Sequence, residues 1–248
     1  MTHPSRGRAR FGVLVPFTNT NLEPDMALLA PPGVSVHIAR MGGYDADEIP
    51  DEGQMQGLGA ADLSGPLDLL VGVQPDVVFY GCTSATLTHG PAFDRDLAAR
   101  IKARSGAQTV TAAGALVAAL AHLGAGRIGF ASPYVARIND MALAFLADQG
   151  VACVQRVDFD GVLDNTGQGA LTPEDVLALG RRADHADAEA IVLSCTDMRS
   201  VEILGQLEAE LGKPVISSNQ AMVFQALQLM GWNAPLRGYG RLLEGDVP

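Results

Sequence analysis

Short apolar runs alternate with longer segments of helical periodicity along the whole chain. The runs have the length and β-branched content of buried strands, and the longer segments repeat their apolar positions every three or four residues. The predicted strands span residues 10–17, 34–41, 75–81, 107–112, 127–133, 151–159, 189–194 and 213–218. The predicted helices span 62–73, 93–104, 113–123, 134–149, 173–185, 201–211 and 220–230. This alternation predicts an α/β fold with mostly parallel sheets flanked by helices.

The series of strands starts twice, at "RFGVLVPF" and again at "RIGFASPY". We therefore predict two similar lobes with a ligand site in the cleft between them. Residues 10–116 together with 218–248 form the predicted N-terminal lobe, and 117–217 form the C-terminal lobe. Residues 1–9 are predicted to be a disordered basic arm.

Two predicted strands end in matching cysteine turns, "VVFYGCTSAT" at 77–86 and "IVLSCTDMRS" at 191–200. Ligands of parallel α/β sheets bind at the carboxyl ends of the strands. Backbone N–H groups exposed there stabilise both a thiolate and an anionic oxygen. The repetition favours a functional pair, Cys82 and Cys195, over two small buried hydrophobic residues. Cys153, inside the apolar run "VACVQRV", is predicted to be a core residue.

Composition narrows the choice of partners. The formal net charge of −11 disfavours nucleic acid and anionic membranes, and no apolar run is long enough to span a bilayer. An odd count of three cysteines is typical of a reducing compartment, so a cytoplasmic location is expected. The five histidines are scattered, which disfavours a metal site. The glycine-rich "GAGRIGF" precedes its strand, the reverse of a dinucleotide motif, so it does not predict a phosphate-binding loop.

Six stretches, in order, resemble the maleate cis-trans isomerase family: "VPFTNTNLEPD" (15–25), "GCTSAT" (81–86), "SPY" (132–134), "DN" (164–165), "SCTDMRS" (194–200) and "PVISSNQA" (214–221). That family belongs to the aspartate/glutamate racemase superfamily, with the arylmalonate decarboxylases and hydantoin racemases. The resemblance runs from about residue 10 to about residue 232. It implies two similar α/β lobes with the active site between them.

The resemblance also implies roles for individual residues. Cys82 is the expected nucleophile and Cys195 the expected acid/base thiol. The expected substrate-binding residues carry amide or hydroxyl groups and are Asn19, Thr83, Ser84, Tyr134, Asn165 and Thr196. No metal or organic cofactor is implied, and relatives commonly form homo-oligomers, so a dimer or larger assembly is expected.

Several of these residues have structural alternatives. Asn19 is also suited to capping the helix that begins near Glu23. Tyr134 is equally suited to packing, and Asn165, within "DNTGQG", to ordinary turn chemistry. Arg199 resembles a family arginine, but an ion pair is the favoured interpretation. Asn219 is suited to capping the last long helix.

Three positions depart from the family pattern: Phe17 in place of a small serine, Ala85 in place of glycine, and Asp197 in place of asparagine. They weaken the prediction of maleate itself as the substrate. The presence of both cysteines disfavours decarboxylation of the arylmalonate type, because such enzymes keep only the second one.

Three functions remain open from the sequence. The favoured hypothesis is a cis-trans isomerase of a small unsaturated dicarboxylate, in which one thiolate adds to the alkene and the other thiol transfers a proton. The second is a two-cysteine racemase of an amino acid or a derivative such as a hydantoin. The third is a small-acid binding protein without catalysis.

Overall fold

The computed structural model describes residues 7–42, 48–232 and 234–245. One sheet contains the strands Ala9–Pro16 (β1), Val34–Met41 (β2), Val77–Tyr80 (β3) and Gln108–Thr111 (β4), in the order β2-β1-β3-β4. The other contains Arg127–Ala131 (β5), Ala152–Val157 (β6), Ala190–Leu193 (β7) and Val215–Ser217 (β8), in the order β6-β5-β7-β8. All strand pairs are parallel. The shared order confirms two similar α/β lobes.

Helices connect the strands and cover both sheets. In the first half they are Leu22–Leu29 (α1), Glu52–Ala60 (α2), Ser64–Val71 (α3), Thr83–Leu87 (α4), Gly90–Ser105 (α5) and Ala112–Leu123 (α6). In the second half they are Ala136–Asp148 (α7), Asn165–Gly169 (α8), Pro173–Arg182 (α9), Leu204–Leu211 (α10), Ser218–Leu229 (α11) and Arg241–Glu244 (α12), with a 3₁₀ turn at Val201–Ile203. No helix in the described ranges is long and apolar enough to cross a membrane.

The hydrophobic core lies between the sheets and these helices. Phe11 and Phe79, on neighbouring strands, meet edge to face with ring centroids 4.9 Å apart. Helix α11 packs against α6, α1 and β4, so the last long helix lies beside elements from the first half of the chain. The exact division into lobes stays a prediction, and residues 1–6 of the predicted arm lie outside the described residues.

Helix α8 corrects the sequence interpretation, which treated residues 160–171 as a loop. A five-residue helix with two glycines shows no apolar periodicity that a sequence pattern reveals. Local capping stabilises it instead, since the Asp164 carboxylate accepts the N–H of Gly167 at 2.6 Å. The turn therefore holds Asn165 in a defined place.

The two cysteine turns occupy equivalent places in the two sheets. Cys82 follows β3 and Cys195 follows β7, and these strands hold the same position in the two sheet orders. The residue before each cysteine continues the ladder, Gly81 donating to Leu14 at 2.8 Å and Ser194 to Ala131 at 2.9 Å. The repeated sequence pattern thus corresponds to a repeated structural position.

Candidate active site

A small, partly open cavity lies where the carboxyl ends of the two sheets face each other. Its lining residues come from both halves of the chain and are Pro16, Thr18, Asn19, Pro50, Met55, Cys82, Ser84, Tyr134, Asn165, Gln168, Cys195, Thr196 and Asp197. Its volume of about 30 Å³ has room for one or two water molecules. A four-carbon acid is larger, so its binding requires the lining residues to separate.

The Cys82 thiol lies at the beginning of α4, in the N-cap position, and its side chain makes no capping hydrogen bond. The backbone N–H groups of Ala85 and Ser84 lie close enough to its sulfur to lower the pKa of the thiol, and the Ser84 hydroxyl lies 3.7 Å from the sulfur. Burial nevertheless raises the pKa of Cys82 above its ordinary value of 9.0. The free protein therefore holds Cys82 as a thiol at neutral pH, with donors already aimed at the thiolate.

The Cys195 thiol faces the same cavity from the second lobe. The N–H of Asp197 donates to its sulfur at 3.3 Å, and the Gln168 amide oxygen lies 3.9 Å from that sulfur. Burial, and after it the negative charge of Asp197, raises the pKa of Cys195 to about 12. Cys195 is therefore the more firmly protonated of the two thiols in its setting.

Tyr134 connects the two cysteine turns. Its hydroxyl forms hydrogen bonds with Ser84 of the first turn and with Cys195 of the second. Burial raises the pKa of Tyr134 well above its ordinary value of 10.0, so the phenol stays protonated and remains a donor. Ser84 also donates to the Met55 sulfur at 2.8 Å. The tyrosine is buried in packing contacts and also lines the cavity, so both interpretations of it fit the structure.

Asn19 combines the two roles considered for it. Its side-chain oxygen accepts the N–H groups of Asn21 at 3.1 Å and Leu22 at 2.9 Å, which fixes the start of α1. Its side-chain nitrogen donates to the Thr196 hydroxyl at 3.1 Å, across the two lobes. Arg40 holds the same loop from outside by donating to the Asn19 carbonyl at 2.9 Å. The amide is thus rigidly placed at the cavity wall.

Asn165 lines the cavity at the first position of α8. Its amide nitrogen donates to the Glu48 carbonyl at 3.1 Å and to the Gln54 side chain at 3.3 Å. These contacts join α8 to the segment that leads into α2, and they close one side of the cavity. Asn165 is therefore more than a turn residue.

The two threonines of the cysteine turns are placed differently. Thr196 lines the cavity, and its hydroxyl donates to the Gly81 carbonyl at 3.0 Å. Thr83 does not line the cavity, and its buried hydroxyl donates to Ser218 at 2.9 Å. The expected contact of the Thr83 hydroxyl with substrate is therefore not supported, because its side chain points toward α11; only its backbone N–H remains a candidate.

Three secondary expectations also have outcomes in the structure. Arg199 pairs with Glu202 at 2.8 Å, as an ion pair on the surface. Asn219 does not cap α11, because the Ser217 hydroxyl accepts the Gln220 N–H in that role. Cys153 is half-buried on β6 beside the core and away from the cavity. Within the described ranges, no group of three or more His, Cys, Asp or Glu side chains is placed to hold a metal ion.

Sequence reasoning missed several residues that line the cavity. Gln168 and Met55 belong to α8 and α2, which the apolar pattern did not reveal, so no sequence signal placed them. Pro16 precedes the "FTNTN" loop and Thr18 lies within it, so the position of Asn19 already indicated that both are near the cavity. Asp197 was noticed only as a departure from the family pattern, although its position two residues after Cys195 already indicated proximity.

Asp25 is buried behind the second cysteine turn and offers a prediction about stability. Asn219 donates to its carboxylate at 2.7 Å and to the Thr196 carbonyl at 3.1 Å. Burial raises the pKa of Asp25 to about 7 from 3.8. A raised folded-state pKa means that stability falls as pH rises from about 4 through about 7, because the folded state resists losing the proton.

Asp25→Asn is accordingly expected to raise the free energy of unfolding at pH 8 by up to about 4 kcal/mol, and to have little effect near pH 4. The amide keeps an acceptor for Asn219 but cannot ionise. Urea denaturation at both pH values measures the difference. The exposed Asp187→Asn serves as the control, with an expected change below about 0.5 kcal/mol. An equal gain at both pH values would contradict the prediction.

Two parallel four-stranded sheets with one thiol from each in a shared cavity define a class of two-lobed α/β proteins. Comparison with known proteins narrows this class. The sequence model of the arylmalonate decarboxylase family matches residues 69–243, and the chain belongs to this family. The maleate isomerase of Nocardia farcinica is 30% identical over 252 residues, which cover 97% of each chain.

Solved structures agree with this placement. The Nocardia farcinica maleate cis-trans isomerase bound to TRIS has a TM-score of 0.87 at 27% identity, covering 96% of this chain and 98% of that one. A cysteine-to-serine mutant of the same protein, which carries a covalently bound succinylcysteine intermediate, has a TM-score of 0.85 at 25% identity, covering 96% and 99%.

Proposed function

We propose that this protein is a cofactor-independent cis-trans isomerase of a small unsaturated carboxylic acid, either maleate or a substituted analogue. The observation that carries the proposal is the placement of Cys82 and Cys195 on one small cavity. The maleate isomerases among its relatives indicate an isomerase, and they favour this chemistry over racemisation. The succinylcysteine in the solved relative supports a covalent route through sulfur.

In the proposed reaction, the Cys82 thiolate adds to one alkene carbon and forms a C–S bond. The electron pair of the double bond moves to the neighbouring carbon, where the adjacent carboxylate delocalises it. The Cys195 thiol donates its proton to that carbon, and the resulting saturated C–C bond rotates. Cys195 then removes the proton, the double bond forms again, and Cys82 leaves as a thiolate. All atoms and electrons return to the enzyme or to the trans product.

The protonation states support this division of roles. The backbone N–H groups of Ser84 and Ala85 lower the pKa of Cys82, whereas Cys195 lies beside the Asp197 carboxylate, which favours its thiol form. The acid/base thiol must carry the proton at the start, and the nucleophile must lose its proton before it attacks. Both groups are thiols in the free protein at neutral pH, and the N–H donors favour Cys82 as the one that ionises for the reaction.

Neutral donors would hold the substrate carboxylate. The Ser84 and Tyr134 hydroxyls and the Asn19 amide line the cavity beside Cys82, and all three are suited to a carboxylate oxygen. Asn165 and Thr196 would contact the substrate from the opposite wall. These roles, and the exclusion of a cofactor, remain part of the proposal.

The sequence supports a proposal for the location and the partners of the protein. Free cysteines and the acidic charge favour action in the cytoplasm on a small acid, without nucleic acid or membrane as partners. A homo-oligomer, dimer or larger, is proposed as the assembly, and light scattering coupled to gel filtration tests it.

Proton NMR of the protein with maleate tests the function directly. The alkene proton signal of fumarate is expected to appear and grow while that of maleate declines. Cys153→Ser is the matched control, because it removes a thiol outside the cavity and should isomerise maleate at the wild-type rate. If neither maleate nor a substituted or amidated analogue changes, the proposed reaction is wrong and the fold assignment stands.

A further inference from the structure

The charge of the cavity wall bears on the identity of the substrate. Asp197 is the one residue with an ionisable carboxylate among the described residues that line the cavity. No arginine, lysine or histidine of the described ranges lines it. A ligand with two negative charges would therefore meet a third, with no cation beside it to compensate.

The Asp197 carboxylate is fixed in position. One of its oxygens accepts the N–H groups of Thr20 at 2.8 Å and Asn21 at 3.0 Å, and the Asn21 side-chain nitrogen at 3.0 Å. The residue is 7% exposed, so solvent screens its charge weakly. It cannot swing away from an incoming anion without breaking the contacts that join the two lobes.

Asp197 also lies next to the reacting sulfur of the second lobe. Its own N–H is 3.3 Å from the Cys195 sulfur, and its charge acts on the thiols of both Cys195 and Cys82, raising the pKa of each. Burial raises the pKa of Asp197 to about 6 from 3.8, so the carboxylate is ionised at about pH 8. Because the Asp197 charge interacts electrostatically with both sulfurs, it also interacts with any group bound between them.

The two walls of the cavity differ in the groups they offer. The wall near Cys82 offers the Ser84 hydroxyl. The wall near Cys195 adds the side-chain amide of Gln168, whose oxygen lies 3.9 Å from the Cys195 sulfur. An amide both donates and accepts hydrogen bonds, so it complements a carboxamide better than a second carboxylate.

We propose that the preferred substrate is a cis-enoic acid with a single carboxylate, carrying an uncharged polar group such as a carboxamide in place of the second one. This inference rests on the proposed isomerase function and specifies its substrate class. The carboxylate lies at the Cys82 and Ser84 wall, and the carboxamide lies between Gln168 and Asp197. The Asp197 carboxylate disfavours a dianion by charge repulsion in a poorly screened site.

The test compares maleate with its monoamide at about pH 8, with wild type and Asp197→Asn. The wild type is expected to show a kcat/KM at least about tenfold higher for the monoamide. Asp197→Asn keeps an oxygen that accepts the same N–H groups, and it should lower the monoamide-to-maleate ratio of kcat/KM at least about tenfold. The ratio is the readout because the loss of this charge also changes the pKa of Cys82 and of Cys195, and both substrates meet the same two thiols. Glu202→Gln, which removes a negative charge near the same turn but outside the cavity, should leave the ratio unchanged.

A second measurement separates this inference from the proposed reaction. Calorimetric titration of Cys82→Ser with the same two ligands reports affinity without turnover. Tighter binding of the monoamide, equalised by Asp197→Asn, supports the inference even if neither compound is isomerised, in which case only the reaction is wrong. A wild-type preference for maleate, or a ratio that Asp197→Asn leaves unchanged, overturns the inference.

Discussion

Replacing Cys195 with serine is expected to leave a covalent adduct on Cys82 and less than about a thousandth of the wild-type isomerase activity. The Cys82 thiolate can still add to the alkene, because its donors, the N–H groups of Ser84 and Ala85, are untouched. A serine hydroxyl is far less acidic than a thiol and is a poor base in return. The carbanion takes its proton from water or from the serine hydroxyl, but the neutral hydroxyl is too weak a base to remove that proton again, so the thioether accumulates.

Intact-protein mass spectrometry measures this trapping. The expected product is heavier than the protein by the mass of one whole substrate acid, because addition across a double bond expels nothing. Peptide mapping should place the adduct on Cys82. Cys82→Ala is expected to form no adduct and to lose activity to a similar degree, since the nucleophile is gone.

Cys153→Ser is the control for both variants, because Cys153 lies on β6 away from the cavity. Its activity and its lack of an adduct should match those of the wild type. If Cys195→Ser instead retained most of its activity, Cys195 would not be the proton donor. An adduct on Cys195 in the Cys82→Ala protein would mean that Cys195 is the nucleophile and Cys82 the acid/base thiol.

The pair of thiols was predictable because it rests on local pattern. Each of Cys82 and Cys195 ends an apolar run, and parallel topology brings the ends of such runs to one edge of a sheet. The strands and the long helices were found for the same reason, since burial imposes a period on the residues. The repeated strand order then placed the two sulfurs on one cavity.

The opposite wall was not predictable from pattern. Gln168 and Asn165 belong to a five-residue helix fixed by the Asp164 cap, and Met55 belongs to a helix of low apolar contrast. Their approach to the cysteines depends on how α8 and α2 meet, through Asn165, Glu48 and Gln54. Such contacts between segments far apart in the sequence do not change the apolar periodicity of either segment, so the sequence pattern does not predict them.

The Thr83 hydroxyl is a second case in which the sequence pattern did not predict where a side chain points. Its position beside Cys82 suggests a substrate contact, but helical geometry rotates successive side chains by about 100°. The Ser84 side chain therefore reaches the cavity, while that of Thr83 points to Ser218. Proximity to Cys82 in the sequence correctly identified the turn as part of the site. It did not show that the Ser84 side chain lines the cavity and the Thr83 side chain does not.

The pH dependence of the reaction is the second large effect expected. Burial raises the pKa of Cys82 above 9.0, so only a small fraction is thiolate at neutral pH, and that fraction grows about tenfold per pH unit. The pKa of Cys195 is about 12, so the proton donor stays protonated throughout. We expect kcat/KM to rise about a hundredfold between pH 7 and pH 9, without a plateau.

Initial rates at low substrate concentration across this range measure the profile, and circular dichroism checks that the protein remains folded. The fold itself loses stability above about pH 9, because the folded state keeps protons on thiols that the unfolded chain releases there. Ser84→Ala sharpens the test: the hydrogen bond from Ser84 lowers the pKa of Cys82, so its removal should depress the rate at pH 8 and shift the rising limb to higher pH. A plateau below pH 8 in the wild type, with the fold intact, would mean that the nucleophile ionises more readily than a buried Cys82 can. The nucleophilic role would then have to move to another group or depend on a substrate-induced change around the thiol.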